Sequence, residues 1–122
     1  MLVVLIVNDD SAFWKELRTA FGQGSGFDAC IEAQKGAEAL AKTNHQSPDL
    51  AILDFSLPDM SGLQLAEALK AIRPELPIFL LTTDYCVKLE KKALSCGITA
   101  VFSKLDDLAA LLANARAMCG IE

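Results

Sequence analysis

Polar clusters stand at the ends of several apolar runs in this chain. The clusters are Asn8-Asp9-Asp10, Asp54, Thr82-Thr83-Asp84 and Ser103-Lys104. Carboxylates that share a site repel one another unless they are protonated or a cation neutralises them. Oxygen ligands that leave positions open for water suit Mg²⁺ better than zinc or iron. If the clusters meet in space, they predict a magnesium site.

The same groups could receive a phosphoryl group. A bound cation and the ammonium of Lys104 would neutralise the phosphoryl oxygens, while a carboxylate oxygen attacks phosphorus and forms an acyl phosphate. Asp54 is the expected nucleophile because it lies at the end of the central apolar run. The loop Ser56-Leu57-Pro58 that follows is expected to keep space open above its carboxylate.

The clusters can meet only if the apolar runs are strands of one sheet. Apolar runs and alternating residues predict strands, and stripes at helical spacing predict helices. The expected strands are residues 2–7, 27–34, 50–55, 78–82 and 99–103. The expected helices are a segment capped by Ser11 and ended by Gly22, residues 37–44, 63–72 and 85–95, and a last helix from Asp106 or Asp107.

Five strand–helix units in succession predict a parallel sheet with helices on both faces. The expected fold class is α/β, a flavodoxin-like doubly wound (βα)5 fold with strand order 2-1-3-4-5. In that order, ligands bind outside the carboxyl ends of strands 1 and 3.

Length and composition indicate one globular domain. The chain has 122 residues, of which 52% are hydrophobic and 22% charged, and this allows a core without disulfides. The net charge of −5 disfavours direct binding to nucleic acid. The opening run MLVVLIV is too short to span a membrane and lacks the features of a signal peptide. The four cysteines have no metal-ligand spacing and are expected to fill apolar space in a cytoplasmic protein.

Several segments of the chain resemble the receiver domains of bacterial two-component response regulators. The most specific is PDLAILDFSLPDMSGLQL, which is similar to the phosphoacceptor strand and loop of that family. The segment LPIFLLTT resembles the strand with the switch hydroxyl, and CGITAVFSK resembles the strand that ends in a lysine. The resemblance covers residues 1–122 and implies a single receiver domain.

The resemblance implies a role for each matching residue. Asp54 would accept a phosphoryl group from a histidine kinase, a phosphotransfer protein or a small phosphodonor. Mg²⁺ would be held by Asp9, Asp54 and the backbone carbonyl of Ser56, and weakly or through water by Asn8.

Further roles follow from the same resemblance. Thr82 and Lys104 would contact the phosphoryl group, and Ser56 and Asp84 would tune the rate of dephosphorylation. The domain would not be an enzyme with a separate substrate, although it would catalyse its own phosphorylation and dephosphorylation. It would switch the face formed by helix 4, strand 5 and helix 5, which would bind a downstream output protein or domain, or a second copy in a homodimer.

One departure from the family pattern concerns the residues after strand 1. The family usually has two acids there. With Ser11 as the helix cap, the pair here is Asn8 and Asp9, and the lost charge should weaken Mg²⁺ binding. A shift of one residue would make Asp9 and Asp10 the pair, but it would lengthen strand 1 by a polar residue.

Two further departures lie on and after strand 5. Val101 occupies the position where the family often has an aromatic partner of the switch hydroxyl, and Phe102 should face the other way. Leu105 follows Lys104 where the family commonly has a cis proline. A cis bond before Leu would cost about 3 kcal/mol or more, so a trans bond is expected.

Three other functions are weighed against a phosphoacceptor. A degenerate receiver, acting as an interaction module that does not respond to phosphate, is motivated by Asn8, Val101 and Leu105. A flavin mononucleotide protein of the same fold is disfavoured because the acidic loop after strand 1 would repel a phosphate. An aspartyl-phosphate phosphohydrolase is disfavoured because Ser56 stands where a second acid would be needed.

Overall fold

A computed structural model describes residues 1–106 and 108–121. Strands and helices alternate along this part of the chain. In chain order they are β1 (Val3–Val7), α1 (Ser11–Ala20), β2 (Ala29–Ala33), α2 (Gly36–Thr43), β3 (Leu50–Asp54), α3 (Gly62–Ile72), β4 (Ile78–Thr82), α4 (Val87–Ser95), β5 (Ala100–Ser103) and α5 (Leu108–Met118). Among these residues, no helix has the length and apolar character needed to cross a membrane.

The strands form one parallel sheet with the order β2-β1-β3-β4-β5. The predicted fold class and strand order are therefore confirmed. Every residue of β1, β3 and β4 is buried, because helices cover both faces of the inner strands. This explains why these strands are continuous apolar runs rather than alternating ones.

The side chains of the sheet alternate between two apolar layers. One layer packs against α2, α3 and α4 and contains Val7 and Leu53. The other packs against α1 and α5 and contains Ile6 and Ile52. Because successive residues of a strand point to opposite faces, Asp54 follows Leu53 onto the face that carries α1 and α5.

The N-cap of α1 is Asp10, so the expectation that Ser11 caps this helix is wrong. One oxygen of Asp10 accepts hydrogen bonds from the backbone N–H groups of Ala12 at 3.1 Å and Phe13 at 3.2 Å. The backbone N–H of Asp10 is itself held by Oδ1 of Asn8 at 2.6 Å. This turn places Asp10 in extended conformation just before the helix, where a short acidic side chain caps well. Strand β1 ends at Val7, so it does not extend by a polar residue, as expected if Asn8 and Asp9 are the pair that follows it.

One other helix, α4, begins later than predicted. Helix α4 begins at Val87 rather than at Tyr85, because Cys86 is extended (φ −151°, ψ 158°) and acts as its N-cap. Helix α5 begins at Leu108. Asp106 lies before it, and the predicted start at Asp107 falls outside the described residues.

Strand β2 is shorter than the predicted segment 27–34. Phe27 precedes the strand and packs against Phe21, with ring centroids 5.3 Å apart. Ile31 and Ala33 belong to the layer with α2, α3 and α4, whereas Phe27 belongs to the opposite layer. The apolar residues that alternate along residues 27–34 therefore do not all face the same layer of the core.

Candidate functional site

Asp54 and Lys104 form a close ion pair at the carboxyl edge of the sheet. Lys104 Nζ donates a hydrogen bond to Asp54 Oδ2 at 2.7 Å, and the two side chains are only 12% and 6% exposed, respectively. The backbone N–H of Lys104 donates to the carbonyl of Thr82 at 2.8 Å. The ring of Phe13 lies beside the ammonium, with its centroid 5.2 Å from Nζ. An anion and an aromatic face therefore hold the Lys104 ammonium between them.

The two carboxylate oxygens of Asp54 have different surroundings. Oδ2 is bound by Lys104, whereas Oδ1 accepts a hydrogen bond from the backbone N–H of Ser56 at the long distance of 3.4 Å. Oδ1 therefore keeps lone pairs that a cation or an electrophile could use. Asp9 is exposed at the carboxyl end of β1, the strand that pairs with β3.

These donors fit Mg²⁺, which prefers oxygen ligands and retains several waters. Within residues 1–106 and 108–121, no group of three His, Cys, Asp or Glu side chains is placed to hold a metal. The protein would therefore supply the carboxylates of Asp9 and Asp54 and the carbonyl of Ser56, and water would complete the shell. The roles of these residues as ligands stay predictions.

Asn8 lies beside Asp54 and is only 2% exposed. Val7 pairs with Leu53 in the β1–β3 ladder, so the same register, continued by one residue, places Asn8 next to Asp54. Oδ1 of Asn8 accepts the backbone N–H of Asp10, and Nδ2 has no partner in the described part of the chain. The residue predicted as a weak metal ligand thus turns its oxygen to the backbone and leaves a donor free.

Thr82 is the last residue of β4, and Asp84 lies two residues after it. Thr82 is 2% exposed, and its hydroxyl oxygen accepts the backbone N–H of Asp84 at 3.0 Å. The hydroxyl therefore makes a local hydrogen bond in this conformation rather than one to Asp54. Asp84 is exposed at the same edge. The Thr82 hydroxyl keeps its own proton, which it could donate to a phosphoryl oxygen.

The departures on and after strand β5 have the geometry expected from the sequence. Val101 packs in the layer with α2, α3 and α4. Phe102 faces the opposite layer, where its ring centroid lies 5.0 Å from that of Phe79. The peptide bond between Lys104 and Leu105 is trans, and the Leu105 side chain is 86% exposed.

The loop after β3 is held at its far end by a capping box on α3. Ser61 Oγ accepts the backbone N–H of Gln64 at 3.1 Å, and Gln64 Oε1 accepts the backbone N–H of Ser61 at 2.9 Å. This reciprocal pair satisfies two helix-terminal donors. Ser56 also bridges to Ser61 across the loop. Contacts within the loop itself therefore hold the segment from Ser56 to Ser61, which would provide the metal-binding carbonyl of Ser56.

The family model of the response regulator receiver domain matches residues 4–116 of the chain. The chain belongs to this family. The resemblance to receiver domains that the sequence showed is thereby confirmed. The chain is a receiver domain of the two-component type.

Two curated relatives that this chain matches are about twice its length. A protein from Pseudomonas aeruginosa that carries the name of a transcriptional regulator is 36% identical over 118 residues, which cover 97% of the chain and 56% of the relative. The response regulator MprA from Mycobacterium sp. (strain KMS) is 32% identical over 115 residues, which cover 94% of the chain and 49% of the relative. The chain thus spans about half the length of these relatives.

Solved structures of receivers have the same architecture. A CheY-like receiver domain protein from Methanospirillum hungatei superposes with a TM-score of 0.89 at 26% identity, covering 98% of this chain and 94% of that chain. The chemotaxis protein CheY4 from Vibrio cholerae gives a TM-score of 0.88 at 26% identity, with coverage of 97% and 98%. The receiver fold is therefore shared over nearly the whole chain.

Two residues that help to shape the site were not identified from the sequence. Phe13 was assigned only to the apolar stripe of α1, yet it also contacts the Lys104 ammonium. Asp59 accepts the backbone N–H groups of Gly36 at 2.8 Å and Ala37 at 2.9 Å and so ties the loop after β3 to the start of α2. The hydrogen bonds from Ala37 and then Gly36 hold the pKa of Asp59 below its usual value. The sequence around α2 gives no sign that Asp59, more than 20 residues away, caps this helix.

Replacing Gly62 of the receiver is expected to disturb the strand end that carries Asp54. A Cβ at Gly62 would lie 2.5 Å from the backbone carbonyl oxygen of Asp54 and 3.0 Å from Cα of Phe55. We expect Gly62→Ala to lower the free energy of unfolding by about 2 kcal/mol, as measured by urea denaturation.

Gly36→Ala provides the matched control for this prediction. Gly36 is likewise the first residue of its helix, but a Cβ there would meet only the flexible side chain of Met60 among its nearest atoms. We expect its loss of stability to be less than half of that for Gly62→Ala. Equal losses for the two variants would contradict the idea that the backbone near Asp54 cannot move aside.

Proposed function

We propose that this receiver accepts a phosphoryl group on Asp54 from a histidine kinase or a phosphotransfer protein in the cytoplasm. The observation that carries the proposal is the ion pair between Asp54 and Lys104, 2.7 Å long and nearly buried at the carboxyl edge of the sheet. A purely structural ion pair would not explain why the second carboxylate oxygen, Oδ1, has only a long hydrogen bond from the Ser56 N–H.

In the proposed reaction, a carboxylate oxygen of Asp54 attacks phosphorus and forms an acyl phosphate. The bond from phosphorus to the donor breaks, and the leaving group keeps the electron pair. Lys104 stays beside the carboxylate and its ammonium neutralises charge on the phosphoryl oxygens. Mg²⁺ held by Asp9, Asp54 and the Ser56 carbonyl would supply further positive charge there. Ser56 and Asp84 would tune the hydrolysis of the acyl phosphate.

We propose that phosphorylation changes the protein-binding face formed by α4, β5 and α5. Phosphorylation replaces the singly charged carboxylate of Asp54 with an acyl phosphate whose charge is about −2, and Thr82 would turn toward the new oxygens. Leu94, Val87 and Leu105 are exposed apolar side chains on α4 and after β5, on the face proposed to change. That face would bind an output protein or domain, or a second copy of the chain. On this view the receiver acts on no separate substrate and catalyses only its own phosphorylation and dephosphorylation.

Intact mass after incubation with acetyl phosphate tests the proposal directly. We expect one phosphate adduct on the wild-type chain in the presence of Mg²⁺ and none when EDTA removes the cation. An adduct formed equally well in EDTA would contradict the role of the divalent cation.

A degenerate receiver remains the second candidate, since Asn8, Val101 and Leu105 each depart from the family pattern. Such a module would bind its partner through the same fold without responding to phosphate. The absence of any adduct at millimolar Mg²⁺, together with a retained fold, would favour it over the phosphoacceptor.

A further inference from the structure

Asn8 carries a buried amide nitrogen that no described residue binds. Its side chain is 2% exposed, and Nδ2 makes no hydrogen bond within residues 1–106 and 108–121. Oxygen and nitrogen can be told apart here because the backbone N–H of Asp10 can only donate, so the atom that it reaches at 2.6 Å is the amide oxygen. Buried polar groups are nearly always paired, so this donor calls for an explanation.

The position of Asn8 indicates what the free donor could reach. The β1–β3 register pairs Val7 with Leu53, and its continuation by one residue places Asn8 next to Asp54. Ile6 and Ile52 lie in the layer with α1 and α5, so residues 8 and 54 project toward this same face by strand alternation. Lys104 reaches Asp54 from this face too. A phosphoryl group attached to Asp54 would therefore lie near both the amide of Asn8 and the ammonium of Lys104.

We propose that Asn8 Nδ2 donates a hydrogen bond to an oxygen of the phosphoryl group on Asp54. This inference rests on the proposed function, because it assigns a partner to the same site. A phosphoryl oxygen is a strong acceptor, and an amide nitrogen is a donor with no accepting capacity. Asn8 thus acts as a phosphoryl-binding residue rather than as a metal ligand.

The alternative role, in which Asn8 binds the cation through its oxygen, fits the contacts less well. Oδ1 already accepts the backbone N–H of Asp10 at 2.6 Å, and that hydrogen bond orients the whole turn before α1. An acid at position 8 would have a second anionic oxygen where Asn8 has N–H groups, and this oxygen would repel a phosphoryl group unless a cation lay between them. The amide removes that repulsion and adds a donor.

The side-chain amide protons of Asn8 provide the test. In ¹⁵N-labelled wild-type chain, their resonances are assigned by their absence in Asn8→Asp, which keeps the oxygen that holds Asp10. We expect one Asn8 proton to shift downfield when excess acetyl phosphate and Mg²⁺ maintain the acyl phosphate. Mg²⁺ alone should leave it nearly unmoved. An equal shift with Mg²⁺ alone would overturn the inference, because the amide would then be reporting on the cation.

Calorimetric titration of the unphosphorylated chain with Mg²⁺ separates the two roles a second time. Asn8→Asp adds an anionic oxygen and should bind Mg²⁺ about tenfold more tightly than wild type. Asn8→Ser, whose hydroxyl can still accept the backbone N–H of Asp10, should bind it within about twofold of wild type. A greater loss in Asn8→Ser would show that the amide oxygen is a ligand, provided that its urea denaturation matches that of wild type.

The inference and the proposed function fail in different ways. If the wild-type chain forms no phosphate adduct, the proposed function fails and the inference falls with it. If the adduct forms and the Asn8 amide resonances stay in place, the inference alone is wrong.

Discussion

Asp54→Asn is expected to abolish the phosphate adduct that acetyl phosphate and Mg²⁺ form on the wild-type chain. The substitution preserves the shape of the side chain but replaces a carboxylate oxygen with a neutral amide, which is a far weaker nucleophile. It also removes the anion that faces Lys104 at 2.7 Å and one of the proposed ligands of the cation. Intact mass should therefore show one adduct on wild type and none on the variant.

A matched control separates loss of the nucleophile from a general effect of removing a carboxylate. Asp28 precedes β2 and accepts the backbone N–H of Leu2, so it lies at the amino ends of the strands, away from Asp54. Asp28→Asn should form the adduct in the same yield as wild type. An adduct of undiminished yield on Asp54→Asn would place the phosphoacceptor elsewhere.

The strands of this receiver could be predicted from the sequence because burial on both faces leaves a simple signal. Helices cover β1, β3 and β4 on each side, so these strands are short continuous apolar runs. A polar residue directly after such a run must then lie at the edge of the sheet. This argument predicted the meeting of Asp54 and Lys104, 50 residues apart in the chain.

The details that could not be predicted depend on contacts between distant or competing residues. Both Asp10 and Ser11 can cap a helix, and the choice follows from the hydrogen bond that Asn8 makes to the backbone of Asp10. The cap that Asp59 provides for α2 comes from 22 and 23 residues away. The Asp59 contacts leave no pattern in the local sequence, and the contact between Asn8 and Asp10, although local, depends on where the chain turns after β1.

The free donor on Asn8 belongs to the same class of detail. From the sequence, an amide in place of an acid implies a lost charge and a weaker cation site. In the structure, the oxygen of that amide is already bound to the backbone and the nitrogen is the free atom. The consequence of the substitution therefore depends on which end of the amide faces Asp54, and residue type alone does not determine that.

Lys104→Ala is expected to lower the free energy of unfolding by about 2 kcal/mol and to reduce the yield of phosphate adduct. Truncation leaves the carboxylate of Asp54, which is 6% exposed, without its ammonium partner. Breaking a fully buried pair in this way costs about 3–5 kcal/mol, and a smaller loss is expected here because the site lies at an edge that water can reach. Urea denaturation measures the loss, and intact mass measures the yield.

The double variant Asp54→Asn/Lys104→Ala provides the decisive comparison. Asp54→Asn removes the buried charge, so subsequent loss of Lys104 should cost less than it does in the wild-type background, and the double variant should be more stable than Lys104→Ala alone. The four chains form a double-mutant cycle in which the two changes are not additive. Additive losses would mean that the ion pair does not govern the stability of this edge, and that Lys104 is held chiefly by Phe13 and its backbone contact to Thr82.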